Sequence, residues 1–334
     1  MANWFQKQWL GFSLWHILLI PLSWIFGVIV SVRKWLYKNG WLKSVRLSVP
    51  VIIVGNINVG GTGKTPLVIW LAEQLQLAGY RPGIISRGYG GHAKQVAEVF
   101  STSAPIAVGD EPVLIAMRTG APVFIGANRV EAGQALLKTY PECNVIISDD
   151  GLQHYRLQRD VEIVVYDSAK GFGNNALLPA GPLREPRARL KTVDAIVSNG
   201  RAQPNGGLSE HKSIEMQLES AVFYNLIDHQ IKSDTSSFAH KKVTAIAGIG
   251  NPERFFQQLR LMGLDFQSRA YSDHHAFNAQ DFDDMKADVV LMTEKDAVKC
   301  KSFAAPNFWV LPVNAVINNE LLIIILNKLN KLRK

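Results

Sequence analysis

The sequence predicts an α/β protein: a mostly parallel sheet covered by helices, a second, smaller α/β domain and an N-terminal membrane helix. Three observations carry this expectation. Short β-branched runs such as PVIIVG at 50–55 and NVIIS at 144–148 alternate with stretches whose apolar residues recur at helical spacing. A polar stretch rich in Gly and Asn, 199–215, precedes a restart of the strand-like runs. The first fifty residues hold one long apolar run and six of the eight tryptophans.

The apolar run comes first in the chain. Among the 23 residues from Leu10 to Val32 only His16 is ionisable, enough helix to cross a hydrocarbon core of about 30 Å. Trp9 at one end and Trp35 and Trp41 at the other suit the headgroup region. Arg33, Lys34, Lys38, Lys43 and Arg46 follow the run and Lys7 precedes it, which leaves the rest of the chain in the cytoplasm. Pro21 would kink a spanning helix, so a helix lying in the interface or a re-entrant hairpin broken at Pro21 stays open. A cleaved signal peptide is disfavoured, because no small-x-small site follows.

Next come a buried parallel strand over 50–55, a helix over 65–77 with Leu67, Val68, Leu71 and Leu75 on its apolar face, and a strand over 82–86. Further strands are expected at 122–125, 144–148, 161–166 and 195–198, with a helix at 129–137. They restart at 243–247, 289–292 and 308–311. The expected organisation is an anchoring segment 1–48, a first α/β domain 49–200, a linker 201–215 and a second domain 216–334 closing over the active site. The tail LLIIILNKLNKLRK is too short to span; it reads as a core strand or helix with a basic face, or as a second membrane contact.

Composition narrows the function. With 47% apolar and 19% charged residues the chain is not intrinsically disordered. Cys143 and Cys300 form no CxxC pair, which argues against a disulfide scaffold, a zinc finger and an Fe–S cluster. The net charge of +8 belongs to the ends: residues 1–50 carry +6, residues 320–334 carry +3, and the body between them carries −1. A nucleic-acid partner is therefore disfavoured, no obligate protein partner is called for, and the basic ends fit an anionic membrane surface.

The strongest motif is Asn58-Val59-Gly60-Gly61-Thr62-Gly63-Lys64-Thr65, placed after a strand and opening a helix. Its glycines let several N–H groups converge on phosphate, Lys64 supplies a charge for the β- and γ-phosphates, and the Thr65 hydroxyl can bind Mg²⁺. This makes the first domain P-loop-type. The motif departs from G-x-x-x-x-G-K-[ST] at Asn58, where the pattern has Gly. Asp149 and Asp150, at the end of the 144–148 strand, are the expected Mg²⁺ carboxylates.

The chain resembles the tetraacyldisaccharide 4'-kinase family. The resemblance rests on GNINVGGTGKTP (55–66), SRGYGG (86–91), VGDEP (108–112), SDDGLQH (148–154), LLPAGPLREP (177–186), GIGNPERF (248–255), DHHAF (273–277) and MTEKDA (292–297). It implies two α/β/α domains and an enzyme of the bacterial inner membrane, its body on the cytoplasmic face. The implied reaction moves the γ-phosphate of ATP, with Mg²⁺, to the 4'-hydroxyl of an acylated glucosamine disaccharide 1-phosphate. It also implies Asp110 as the base, Glu111 as its neighbour near the metal and phosphates, and His274 as the partner of the base. These two residues are 164 positions apart, so their meeting is expected to need domain closure.

Other positions are less defined by sequence. His154 is a candidate phosphate contact or a turn histidine, and Arg184 a candidate ligand for substrate phosphate or transition-state charge. Arg184 and Glu185 lie in a Pro-rich loop expected to be stiff and exposed. Asp110-Glu111-Pro112 can also be read as a helix start and Asp273-His274-His275 as a metal cluster. Arg87 and Arg129 follow strand ends, and 293–296 receives no role.

Overall fold

The computed structural model describes residues 9, 11, 14–93, 95–201 and 212–332. Trp4, Lys7, Leu10, Arg333, Lys334 and most of the expected linker lie outside the described residues. In chain order the elements begin with α1 (Leu14–Lys38), β1 (Val51–Gly55), α2 (Lys64–Leu77), β2 (Pro82–Ser86) and β3 (Ala97–Val99). Then come α3 (Pro105–Val108), α4 (Asp110–Thr119), β4 (Val123–Ile125), α5 (Arg129–Thr139), β5 (Val145–Asp149), β6 (Val161–Asp167), β7 (Ala195–Asn199) and β8 (Ile214–Glu219). The remainder is β9 (Phe223–Asn225), β10 (Lys232–Ser233), β11 (Val243–Ala247), α6 (Pro252–Leu261), β12 (Gln267–Ala270) and β13 (Val289–Thr293). It closes with α7 (Glu294–Cys300), β14 (Phe308–Leu311), β15 (Asn314–Ile317) and α8 (Glu320–Leu332).

The chain forms two compact units, which divide it elsewhere than the sequence suggests. The first comprises the chain to Arg87, Asn128–Leu218 and Ala315 onward; the second comprises Gly88–Ala127 and Glu219–Asn314. Residues 88–127, expected in the first domain, join the second because α4 packs on α7 through the ion pairs Arg118–Glu294 at 2.7 Å and Glu111–Lys295 at 2.8 Å. The tail, expected in the second domain, joins the first. It is a helix with Leu321, Ile325 and Leu329 buried, and Lys328 pairs with Asp194.

In the first unit the strands run in the order β15-β8-β7-β6-β1-β5-β2. The pairs from β8 to β2 are all parallel. β1 and β5 are buried along their whole length, which is why they read as unbroken apolar runs rather than alternations. Their register sets Val54 beside Asp149, so the loops that follow the two strands leave the same edge of the sheet.

Helix α1 continues through Pro21 without interruption, so the hairpin broken at that residue does not form. Its Ser23 hydroxyl donates to the Leu177 carbonyl at 2.9 Å and accepts from the Ala180 N–H at 2.9 Å. A Cβ at Gly27 would come within 2.8 Å of the Leu177 side chain, so the small residue permits this close docking. The opposite face presents Ile17, Leu18, Trp24, Ile25, Val28 and Ile29, each more than half exposed. His16–Lys38 is long and apolar enough to cross a membrane.

The second unit holds the antiparallel β3–β4 ribbon and a six-stranded sheet in the order β10-β9-β14-β13-β11-β12. Alternate residues of its central strands face opposite sides. Val243, Ala245, Val289 and Leu291 pack with Phe255, Phe256 and Leu259, while Ile246, Val290, Met292 and Val310 pack with Phe277, Ala297 and Cys300.

Candidate active site

The first unit carries the phosphate motif between β1 and α2. Gly60 and Gly63 have φ of 106° and 94°, a region that residues with a Cβ rarely occupy. A Cβ on Gly63 would stand 2.5 Å from the Asn199 amide nitrogen, which donates to the Thr62 carbonyl at 3.1 Å. Asn58, where the common pattern has Gly, donates its side-chain amide to the Gly171 carbonyl at 2.8 Å, and Val59 N–H donates to the Pro182 carbonyl at 2.8 Å. Asn58 thus ties the start of the loop to the segment 171–182. Lys64 and Thr65 form the first turn of α2, where backbone N–H groups and the helix dipole favour an anion.

Carboxylates stand nearby. Asp150, at φ 48°, lies 3.6 Å from Lys64 and 3.3 Å from Arg184. Burial works to raise its pKa, but Lys64 and Arg184 outweigh it and hold the carboxyl below its ordinary range. The buried Asp149 accepts from the Ser86 hydroxyl at 3.1 Å, and its carbonyl lies 3.5 Å from the guanidinium of the fully buried Arg129. Burial lowers the Arg129 pKa to about 10 against the pull of Asp149 and Asp150. His154 is driven down to about 4 by burial and then by Arg129 and Arg87, so it is neutral at pH 7. Arg87 is exposed at the end of β2. The Thr65 hydroxyl and the Asp149 and Asp150 carboxylates are hard oxygen donors of the kind Mg²⁺ takes, so the residues present fit the ion.

The Pro-rich loop departs from expectation. Ala180, Leu183 and Glu185 are buried rather than exposed. Glu185 accepts from Gln153 at 2.9 Å and from the Tyr155 hydroxyl at 2.5 Å, and pairs with Arg189 at 3.3 Å. Gln153 also donates to the Asn56 carbonyl at 3.1 Å, so this network braces the strand-to-loop junction from beneath. Nothing in the Pro spacing signals it; the apolar residues interleaved through the loop, Leu177, Leu178 and Leu183, were the available hint.

The second unit carries the other half of the expected chemistry. Asp110 is the first residue of α4, placed there by Gly109 at φ 94°, where a Cβ would meet the Tyr89 carbonyl at 2.7 Å. His274 Nδ1 lies 3.1 Å from Asp110 Oδ1 and 3.0 Å from Oδ2. Both residues belong to this one unit, so their meeting does not require the closure expected from their sequence separation. His274 adopts φ 58°, and the Tyr89 ring meets its imidazole edge-on at 5.3 Å. Burial alone would raise the Asp110 pKa; the His274 hydrogen bond, then Lys295, His274's charge and Lys299, hold it below the ordinary carboxyl range. The same hydrogen bond raises His274.

Asp110 and His274 line a cavity of about 590 Å³ together with Gly90, Ser103, Ile106 and Lys299. His275 instead faces Asp281 at 3.2 Å, and among the described residues no three His, Cys, Asp or Glu side chains gather as a metal cage. The Asp273-His274-His275 string is therefore divided between separate partners.

Comparison with known proteins agrees with the resemblance in the sequence. The sequence model of the family described as tetraacyldisaccharide-1-P 4'-kinase matches residues 15–330. A tetraacyldisaccharide 4'-kinase of Methylobacillus flagellatus is 50% identical over 331 residues, 99% of this chain and 97% of that protein. One from Pasteurella multocida is 47% identical over 339 residues, covering 100% and 99%. The crystal structure of LpxK from Aquifex aeolicus in complex with ATP superposes with a TM-score of 0.80 at 28% identity, over 95% of this chain and 100% of that one. With the family's sequence pattern and fold both present over nearly its whole length, the chain belongs to the tetraacyldisaccharide-1-P 4'-kinase family.

Proposed function

We propose that the protein transfers the γ-phosphate of ATP to the 4'-hydroxyl of an acylated glucosamine disaccharide 1-phosphate, the 4'-phosphorylation of lipid A biosynthesis. The observation that carries this reading beyond nucleotide hydrolysis is the contact between Asp110 and His274, because a phosphoryl acceptor needs a group to take its proton. A nucleotide switch has no use for such a pair.

In this reading the backbone N–H groups of 58–65 and the Lys64 ammonium hold the β- and γ-phosphates. Thr65 and Asp149 or Asp150 hold Mg²⁺, which when bound neutralises phosphate charge. The acceptor oxygen forms a bond to the γ-phosphorus, the bond from that phosphorus to the β–γ bridging oxygen breaks, and ADP leaves. The hydroxyl proton goes to Asp110, with His274 sharing it. Arg184 and the neutral His154 face the phosphate charge, and Glu111 completes the acidic pair at the start of α4.

The exposed apolar face of α1 and the cations that follow it support a place at the cytoplasmic face of the inner membrane, against anionic lipid. An acceptor whose acyl chains stay in the bilayer is reached there. The test is a kinase assay in detergent with ATP, Mg²⁺ and the acylated disaccharide monophosphate. ADP should appear only when the acceptor is present; release at the same rate without it would overturn the kinase reading in favour of a membrane-associated NTPase.

A further inference from the structure

Thr293-Glu294-Lys295-Asp296 has no role evident from its sequence, yet each of the four residues holds a different part of the second unit. Thr293 caps α7 by accepting from the Asp296 N–H at 3.2 Å. Glu294 pairs with Arg118 and accepts from the Val313 N–H at 3.0 Å. Asp296, fully buried, accepts from the Gly248 N–H at 3.2 Å and from the Thr293 hydroxyl at 2.7 Å, and pairs with Lys299 at 2.7 Å. Lys295 reaches Glu111, 2.8 Å away and next in sequence to Asp110.

The position of Lys295 breaks a local rule. A cation in the first turn of a helix opposes the helix dipole, so Lys295 is unfavourable where α7 alone is concerned. What offsets this lies across the contact: Glu111 and Asp110 at the start of α4, and Asp273 beside His274. Two adjacent carboxylates at one helix start repel each other unless a cation compensates. Lys299 is tied to Asp296 and to the Gly248 carbonyl and acts on Asp110 from further off, whereas Lys295 meets Glu111 directly. The contact is mutual: burial opposes the charge on Lys295, but Glu111 and then Asp110 more than restore it and raise its pKa.

We propose that Lys295 is a positioning residue for the base: its ammonium holds the Glu111 carboxylate in place and balances the acidic pair, so that Asp110 is left to His274. This rests on the reading of Asp110 as the base. A merely structural lysine would be replaceable by any side chain that keeps the helices packed, whereas this one is needed for its charge.

The test uses the full-length protein in detergent with ATP and the acylated disaccharide monophosphate. Lys295→Gln keeps a hydrogen-bond donor, on a side chain one atom shorter, and removes the charge. It should lower kcat by about 10- to 100-fold, the scale on which a small misplacement of a reacting group costs rate, with KM for ATP unchanged. Lys295→Arg should restore kcat. In an Asp110→Asn background, Lys295→Gln should cost little more, because the group it positions is already gone. A Gln variant with wild-type kcat, a loss that Arg does not restore, or a full additional loss in the Asp110→Asn background would overturn the proposal. Should the Gln variant melt at assay temperature, Lys295→Arg alone carries the test, and a loss of kcat in that variant with its fold intact overturns it. Failure of the base reading is distinguishable: it appears as Asp110→Asn alone retaining activity, which removes the proposal with it.

Discussion

His274 Nδ1 stands 3.0 Å from Asp110 Oδ2 across 164 positions of sequence, with the histidine in the left-handed region at φ 58°. Residues held in such a conformation are strained unless their surroundings fix them, and such strain gathers at functional sites. Here the fixing groups are the Tyr89 ring against the imidazole and the neighbouring Asp273, which accepts from the His274 N–H at 3.1 Å. In the proposed reaction this contact makes a carboxylate and an imidazole a single proton-accepting unit. Asp110→Ala should therefore lower kcat by roughly 10²–10⁴. His274→Ala should cost no more, and the double variant should fall no further than Asp110→Ala alone, as steady-state assays of the three variants would show. Multiplying losses would mean that the two act separately.

The same contact sets a pH dependence whose sign is fixed. His274 is raised by Asp110, so the stabilisation it gains from the pair is full below the ordinary histidine pKa of 6.5 and is lost as pH rises through its higher folded value. Asp110 is lowered, so its stabilisation is present above the ordinary carboxyl pKa and is lost as pH falls through its folded value. The pair is strongest between those limits. An NMR titration of the His274 imidazole should give a midpoint above 6.5 in the wild type. In Asp110→Asn, which loses the charge that raises it, the midpoint should fall. An unchanged midpoint would show that the carboxylate does not govern the imidazole.

How far these features can be read from sequence depends on whether their cause is local. Strands 82–86, 243–247 and 308–311 agree with the structure to the residue, because β-branched runs bounded by turns carry their own signal. Ala97–Val99, Phe223–Asn225 and Lys232–Ser233 go unread, being two or three residues long with too few positions for a period. The P-loop is contiguous and legible. Placing residues 88–127 with the second unit depends on Glu111–Lys295 and Arg118–Glu294, contacts between residues more than 170 positions apart, which no local pattern encodes. The Glu185 network is hidden for the same reason, and the Pro spacing around it suggests an exposed loop where Ala180 and Leu183 are buried.

Lys64 opens α2 beside Asp150, where its charge holds that carboxylate ionised. Lys64→Ala should abolish phosphoryl transfer while the far-ultraviolet circular dichroism and the melting transition remain, because α2 keeps its buried face of Leu67, Leu71 and Leu75. Turnover near the wild-type rate in a folded Lys64→Ala protein would contradict the phosphate-cradle reading.

His154 gives a second pH effect, of opposite origin. Burial, Arg129 and Arg87 lower its pKa from 6.5 to about 4, so the unfolded chain binds a proton there that the folded protein excludes. Stability should therefore decline as pH falls below 6.5 and the decline attributable to His154 should end near 4. Urea midpoints at pH 7 and pH 5 test this. The drop between them should be smaller in His154→Gln than in the wild type, and an equal drop in both would assign it to other groups.

The two faces of α1 make separable demands. Ser23 holds the Leu177–Ala180 segment with two hydrogen bonds, so Ser23→Val would leave the Ala180 N–H without its acceptor and should lower stability by about 1–3 kcal/mol. Ile25 and Ile29 lie on the exposed side, each more than half exposed, and replacing both with Glu removes that apolar surface. That double variant should melt like the wild type and keep its activity in detergent, yet lose binding to vesicles of anionic phospholipid in a sedimentation assay. If Ile25 and Ile29 instead served packing, the melting temperature would fall and vesicle binding would follow only as a consequence of unfolding. The opposite pattern, stable protein that no longer sediments, assigns the exposed face of α1 to the lipid surface.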